Sequence, residues 1–426
     1  MQSLYADIHD SKRLNTLKLS VWEGCIWQIY ATWLLGPIFI GYLGHLGATS
    51  AELAFAGSIP FLAQLTGPIT AWWVSLVKKR KKLMFYLGMV SRLLGLIPLT
   101  LLFVEMPRDE KVFWLLLGLT FTNIFQSAAG TIWSGIMGDV VPGQIRGRFF
   151  GMRNGLMGVC ATAASLGGGL IIDHLVSPMN YALLFGAAFV LSIVSTLMYL
   201  MYHDPFPSAP KLTFKDVVMT PLRDPEFAPF LRFMTVWGGA QAFCTVMLTP
   251  YFLNELHFTM TQVGLYAALT AAVGLLVNYQ IGFIVDRIPN MLVLKICALL
   301  SAFLIPLTLI VVHLTHWTSL VWVLAVMEAV IYSAANLAIF NLAMHKTQPG
   351  NRLPYLSSGS LLSGAASFVM GLVAGWVVTV LQKPGVPGDY LEYFLLCIVL
   401  RLVSLMPIRG VRIADAKQAE LASQGQ

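Results

Sequence analysis

The sequence predicts an all-α membrane protein of twelve transmembrane helices, and three observations predict it. Of its 426 residues, 57% are hydrophobic and 11% charged, with a mean hydropathy of +0.74. A soluble chain carries about 25% charged residues, so polar surface is too scarce to cover a water-exposed globule. The apolar residues fall in windows of roughly 20, the length a helix needs to cross the bilayer core. Lysine and arginine gather in alternate connections between these windows, as they do on the cytoplasmic side of a membrane.

The windows run 18–44, 51–77, 83–104, 112–137, 149–173, 181–202, 229–254, 260–285, 291–313, 318–344, 354–381 and 390–408. Breaks at HLGATS (45–50) and EMPRDEK (105–111) separate early spans, and DRIPN (286–290) makes a very short eighth connection. The longest connection, 203–228, is polar and proline-punctuated. Its middle, Thr213 to Arg223, reads as a short amphipathic helix on the membrane surface. This linker divides the chain into an N-terminal six-helix bundle (1–202) and a C-terminal one (229–426). The halves share a pattern: Met137 with Pro142-Gly143 after span four, and Met344 with Pro349-Gly350 after span ten. Internal repeats of this kind are common in secondary transporters.

Charge sets orientation. With a cytoplasmic N-terminus, the inner segments hold nineteen lysines and arginines, among them the run Lys78 to Lys82, whereas the outer loops hold Arg108, Lys111 and Lys383. Both termini are therefore expected in the cytoplasm, in a multi-pass protein of the cell's inner or plasma membrane. The net charge of +7 is read as orientation, not as nucleic-acid binding. The first residues lack the layout of a cleaved signal, so the first span is expected to remain as a helix. Cys25, Cys160, Cys244, Cys297 and Cys397 stand apart in the sequence, with no metal-binding spacing. They read as small apolar residues, and neither metal nor cofactor is expected.

The most specific stretch is Asp139-Val-Val-Pro142-Gly-Gln-Ile-Arg146-Gly147-Arg148. It resembles the loop 4–5 signature of the major facilitator superfamily, and Gly282-Phe-Ile-Val-Asp286-Arg287 resembles that superfamily's G-x-x-x-D-R motif in loop 8–9. The equivalent loop 2–3 carries the basic run at 78–82 and no acid, a departure from the pattern. That run reads as a topology or anionic-lipid determinant. The resemblance implies alternating access of a midplane site between the halves. Asp139, Arg146, Arg148, Asp286 and Arg287 would gate it. Small residues in span five (Gly167, Gly168, Gly169) and span eleven (Gly364, Gly371, Gly375) permit close helix contact. Span five lacks the Gly-Pro pair of proton-coupled drug exporters, so drug export is not implied.

Charges inside a span are costly and mark function or pairing. Glu23, Arg92, Arg153, Glu328 and Arg401 are the candidates. In the family resembled, helices one, four, seven and ten line the cavity. Here they carry Glu23 and Gln28, Asn123 and Gln126, Trp237 and Gln241, and Glu328 with Asn336 and Asn341. Glu328 lies roughly 15 Å along span ten, near the midplane, and is the first choice for proton coupling or substrate binding. The alternative is a structural pair with Arg401. Arg92 is expected to form a structural ion pair.

The expected function is proton-coupled secondary transport of a small solute by a monomer. Its alternatives are a non-transporting receptor or scaffold on the same fold, or an intramembrane enzyme. The sequence has no Walker loop, HExxH or GxSxG to support the last. Impermeant thiol reagent is expected to label Ser3→Cys and Ser423→Cys from the cytoplasmic face alone. Labelling from opposite faces would end the even-span reading.

Overall fold

A chain in hydrocarbon must satisfy its backbone internally, and an isolated span can do so only as a helix. The computed structural model describes residues 10–77, 79–142, 145–204, 213–285, 288–346, 352–383 and 389–411, and its regular elements there are all helices. The first span is α1 (Ser11–Leu34) and α2 (Pro37–His45), broken where Pro37 supplies no N–H. The second is α3 (Ser50–Gln64) and α4 (Gly67–Leu76). A capping box starts α3: Thr49 Oγ1 accepts from the Glu52 N–H, and Glu52 accepts from the Thr49 N–H at 2.7 Å. The third is α5 (Arg80–Leu94) and α6 (Leu96–Leu101). Three long helices follow: α7 (Arg108–Val140), α8 (Arg146–His174) and α9 (Met179–Met198), the last ending in a 3₁₀ turn, Tyr199–Met201.

The amphipathic helix expected in the linker is α10 (Phe214–Arg223). After it come α11 (Ala228–Thr245), α12 (Leu248–Asn254), α13 (Met260–Val285), α14 (Asn290–Thr315), α15 (Leu320–Lys346), α16 (Arg352–Leu381) and α17 (Tyr390–Val403). Among the described residues, ten helical segments are long and apolar enough to cross a membrane, and the apolar stretch of α13, Met260–Gly274, is shorter. Of the twelve windows, the seventh, which holds α11 and α12, is not among the ten. The eighth falls short over its described length.

Contacts gather these helices into two compact units, Met1–Ala48 with Ile69–Leu212 and Phe258–Ala268, and Thr49–Pro68 with Thr213–His257 and Leu269–Gln426. Two segments therefore pack away from their sequence neighbours. In unit 2, α3 lies along α16. A Cβ on Gly364 would sit 2.8 Å from the Phe61 carbonyl oxygen, and one on Gly371 would collide with Ser58. In unit 1 the start of α13 lies on α8. A Cβ on Gly169 would come within 2.7 Å of Thr261 Cα, and one on Gly264 within 2.6 Å of the Ser165 carbonyl. Of the small residues noted in spans five and eleven, Gly169, Gly364 and Gly375 stand where another backbone approaches closely, whereas a Cβ on Gly167 would meet nothing within 4 Å.

Unit 1 builds its core where α1 meets α8 and α9, and α5 meets α7. Leu17, Met84, Ile132, Ile136, Phe149 and Tyr202 pack there. In unit 2, α11 packs on α16, and α14 on α15 and α17. The linker helix α10 is fastened to α16 by Ser358 Oγ, which donates to the Val217 carbonyl at 2.8 Å. Leu292, Leu299, Phe303 and Leu307 leave α14 an exposed apolar flank, the surface a helix presents to hydrocarbon. Replacing Gly371 by alanine drives a methyl group into Ser58, an overpacking that costs about 1–3 kcal/mol. The thermal midpoint of the detergent-solubilised protein should fall. Gly186→Ala on α9, with nothing within 4 Å of the new methyl, should leave it unchanged. Equal midpoints in the two variants would contradict the close contact of α3 with α16.

Candidate functional site

Unit 1 buries a carboxylate between three helices. Glu23 on α1 is 2% exposed. It lies 3.5 Å from Arg153 Nη2 of α8, and it accepts from the Tyr199 and Tyr202 hydroxyls at 3.3 Å each. Arg153 is fixed by two further contacts: its Nε donates to the Ser20 carbonyl at 3.0 Å, and its guanidinium lies 4.3 Å over the Trp133 ring. Gly24 makes room for it, since a Cβ there would stand 2.5 Å from Nη2. Burying such a pair costs desolvation, which these extra hydrogen bonds offset.

Arg92 on α5 is fully buried and has no ion pair among the described residues, contrary to expectation. Its Nε donates to Thr196 Oγ1 at 3.1 Å and its guanidinium sits 4.5 Å over the Tyr30 ring, while Nη1 and Nη2 lack hydrogen-bond partners. Its charge is felt at Glu23.

Beside this cluster is a cavity of about 360 Å³ whose wall includes Glu23, Arg153, Trp27, Trp133 and Gln126. The hydroxyl residues Ser127, Thr131 and Ser134 of α7 complete its polar side. Unit 2 has a counterpart of about 330 Å³, lined by neutral groups that include Gln64, Trp237, Gln241, Asn336, Ser363 and Ser367.

The residues singled out in sequence divide accordingly. Glu23 and Gln126 line the first cavity, and Trp237, Gln241 and Asn336 the second. Asn123 is buried and its amide donates to the Leu119 carbonyl at 2.9 Å, one turn back on its own helix. Gln28, half-buried on α1, lines neither cavity. Glu328 is buried within electrostatic reach of Arg401 and Cys244 and also lines neither. Arg401 donates to the Ser301 carbonyl at 2.6 Å. The side chain of Asn341 lies outside the described residues.

Asp139 at the end of α7 pairs with Arg80, Nη2 to Oδ2 at 2.5 Å, and Arg80 also holds Asp204 at 2.7 Å. Arg80 belongs to the basic run read from sequence as a topology or lipid determinant. The structure corrects that reading for this residue, which is buried and engaged by two carboxylates. Arg146 and Arg148 open α8, but their side chains lie outside the described residues, as do Asp286 and Arg287. Sequence reasoning also missed Tyr199, Tyr202 and Trp133, whose positions carry no motif. It missed a pairing of cysteines as well: the thiols of Cys25 and Cys160 lie within interaction range of each other, as do those of Cys244 and Cys397.

The fold recurs in solved transporters. A nucleoside transporter, NupG, aligns with a TM-score of 0.64 at 14% identity, covering 94% of this chain and 99% of its own. A D-xylose-proton symporter gives 0.69 at 12% identity, with 95% and 99% covered. A bacterial homologue of the iron transporter ferroportin, in an inward-facing state, gives 0.67 at 14%, with 94% and 99% covered. No curated protein matches by sequence. The sequence profile described as Major Facilitator Superfamily matches residues 26–375. That match runs from the first span into the eleventh, so this multi-pass membrane chain belongs to the Major Facilitator Superfamily, a family of transporters and not of enzymes.

Proposed function

We propose that the chain is a secondary active transporter that moves a small solute by alternating access, coupled to protons. The observation that carries this reading is the first cavity. A protonatable carboxyl, Glu23, stands in its wall beside a fixed cation. Intramembrane acids in such places mark substrate or ion pathways and proton relays. Ionised, Glu23 holds Arg153 and both tyrosine hydroxyls. Protonated, it gives up the charge that holds Arg153, and the cavity wall changes. The name of the D-xylose-proton symporter shows that coupling of this kind occurs on the same fold.

Coupling is assigned to Glu23. Glu328, the first choice from sequence, is assigned the charge partnership with Arg401. The second cavity, in unit 2, offers neutral hydrogen-bonding groups, Gln241 and Asn336 among them. The two halves, 1–202 and 229–426, act as its bundles in a monomer, with both ends on the cytoplasmic face of the plasma membrane. Arg80, Asp139 and Asp204 form a latch at the end of the unit 1 helices that carries the basic run. Arg146, Arg148, Asp286 and Arg287 are assigned to gating with them.

In proteoliposomes, Glu23→Gln is expected to abolish accumulation driven by a proton gradient while leaving solute exchange. Glu328→Gln is expected to keep coupling if the protein is folded. Gradient-driven accumulation that survives Glu23→Gln would remove the assignment. Asp139→Asn should alter the transport rate with the amount of membrane protein unchanged. Arg80→Ala also takes the guanidinium from buried Asp204, and breaking a buried pair in this way costs about 3–5 kcal/mol. Its thermal midpoint should therefore drop. A midpoint equal to that of Asp139→Asn would show that Asp204 does not depend on Arg80.

A further inference from the structure

The charges buried around the first cavity do not balance. Among the described residues of unit 1, the charged side chains buried within the helices are Glu23, Arg92 and Arg153, besides Arg80, which Asp139 and Asp204 engage at the helix ends. One carboxylate faces two guanidiniums. The Trp133 and Tyr30 rings stabilise those guanidiniums but carry no net charge to cancel them. An uncompensated charge in a low-dielectric interior is expensive, so a further anion is favoured close by. Of the two arginines, Arg153 is the one in the cavity wall. Its ion pair with Glu23 is a single long contact of 3.5 Å.

The same wall holds polar atoms that need partners. The Trp27 indole N–H and the Gln126 amide oxygen are both buried without a hydrogen bond. One asks for an acceptor and the other for a donor. The indole rings of Trp27 and Trp133 offer apolar faces beside them.

We propose that this cavity binds an organic monocarboxylate, with Arg153 taking the carboxylate, the Trp27 N–H donating to it, and Gln126 accepting from a hydroxyl or N–H on the solute. With Glu23 ionised the surplus around the cavity is one charge, which fits a monoanion. This rests on the transport reading above and names the substrate class for the same cavity.

The test uses the purified full chain in lipid nanodiscs and isothermal calorimetry with mandelate and its neutral isostere, mandelamide. Mandelate is expected to bind at least tenfold tighter than mandelamide, and Arg153→Gln is expected to lower mandelate affinity at least tenfold. Arg153→Lys should recover part of it. Should Arg153→Gln not fold, Trp27→Phe keeps the ring face and removes the N–H, and is expected to weaken mandelate severalfold. Equal affinity for acid and amide, an affinity unchanged in Arg153→Gln, or no binding across a panel of monocarboxylates would each overturn the inference. Flux separates it from the transport reading. A carboxylate that binds but crosses no proteoliposome ends the carrier role and keeps the subsite. Carriage of neutral or cationic solutes alone keeps the carrier and ends the subsite.

Discussion

A charge placed among lipid-facing helices has no water to fall back on, so each one dictates what is built around it. The Glu23–Arg153 contact is where this shows most plainly. It draws α1 and α8 together, recruits two hydroxyls from the turn that ends α9, and requires Gly24 to leave space. The indole of Trp133 then covers the guanidinium from α7. Four helices are positioned around one ion pair, and the cavity is what remains beside it.

The same constraint explains what could be read in advance. Ten of the twelve spans follow from composition over windows of roughly 20 residues, and the linker helix from its amphipathic pattern. The in-span charges Glu23, Arg92, Arg153, Glu328 and Arg401 also stood out, because a charge within an apolar run needs no partner to be noticed. All five are buried. The sequence thus announces that a polar site exists, and on which spans.

Partner choice was not legible. Arg80 is one of five consecutive basic residues, and nothing local distinguishes the one that turns inward to Asp139 and Asp204, residues 59 and 124 positions away. Cys25 and Cys160 likewise sit on separate spans, and only the packing of α1 on α8 brings their thiols together. The grouping of α3 with α16, and of the start of α13 with α8, was hidden for a similar reason. Glycine-rich faces advertise that a helix will be approached closely, but not by which neighbour.

The two units solve the problem of buried charge differently, and the difference bears on function. In unit 2 the buried charged side chains among the described residues are Glu328 and Arg401, one of each sign and within electrostatic reach. That unit can be neutral within itself, and its cavity is lined by amides, hydroxyls and an indole. In unit 1 two guanidiniums share one carboxylate, and the cavity wall includes members of both signs. A balanced pair is already compensated and does not favour a further anion. An unbalanced set does, because an arriving anion lowers the net charge in a medium that screens it poorly. The asymmetry is the reason the proposed coupling and the proposed carboxylate subsite both fall in unit 1, while unit 2 offers neutral hydrogen-bonding groups.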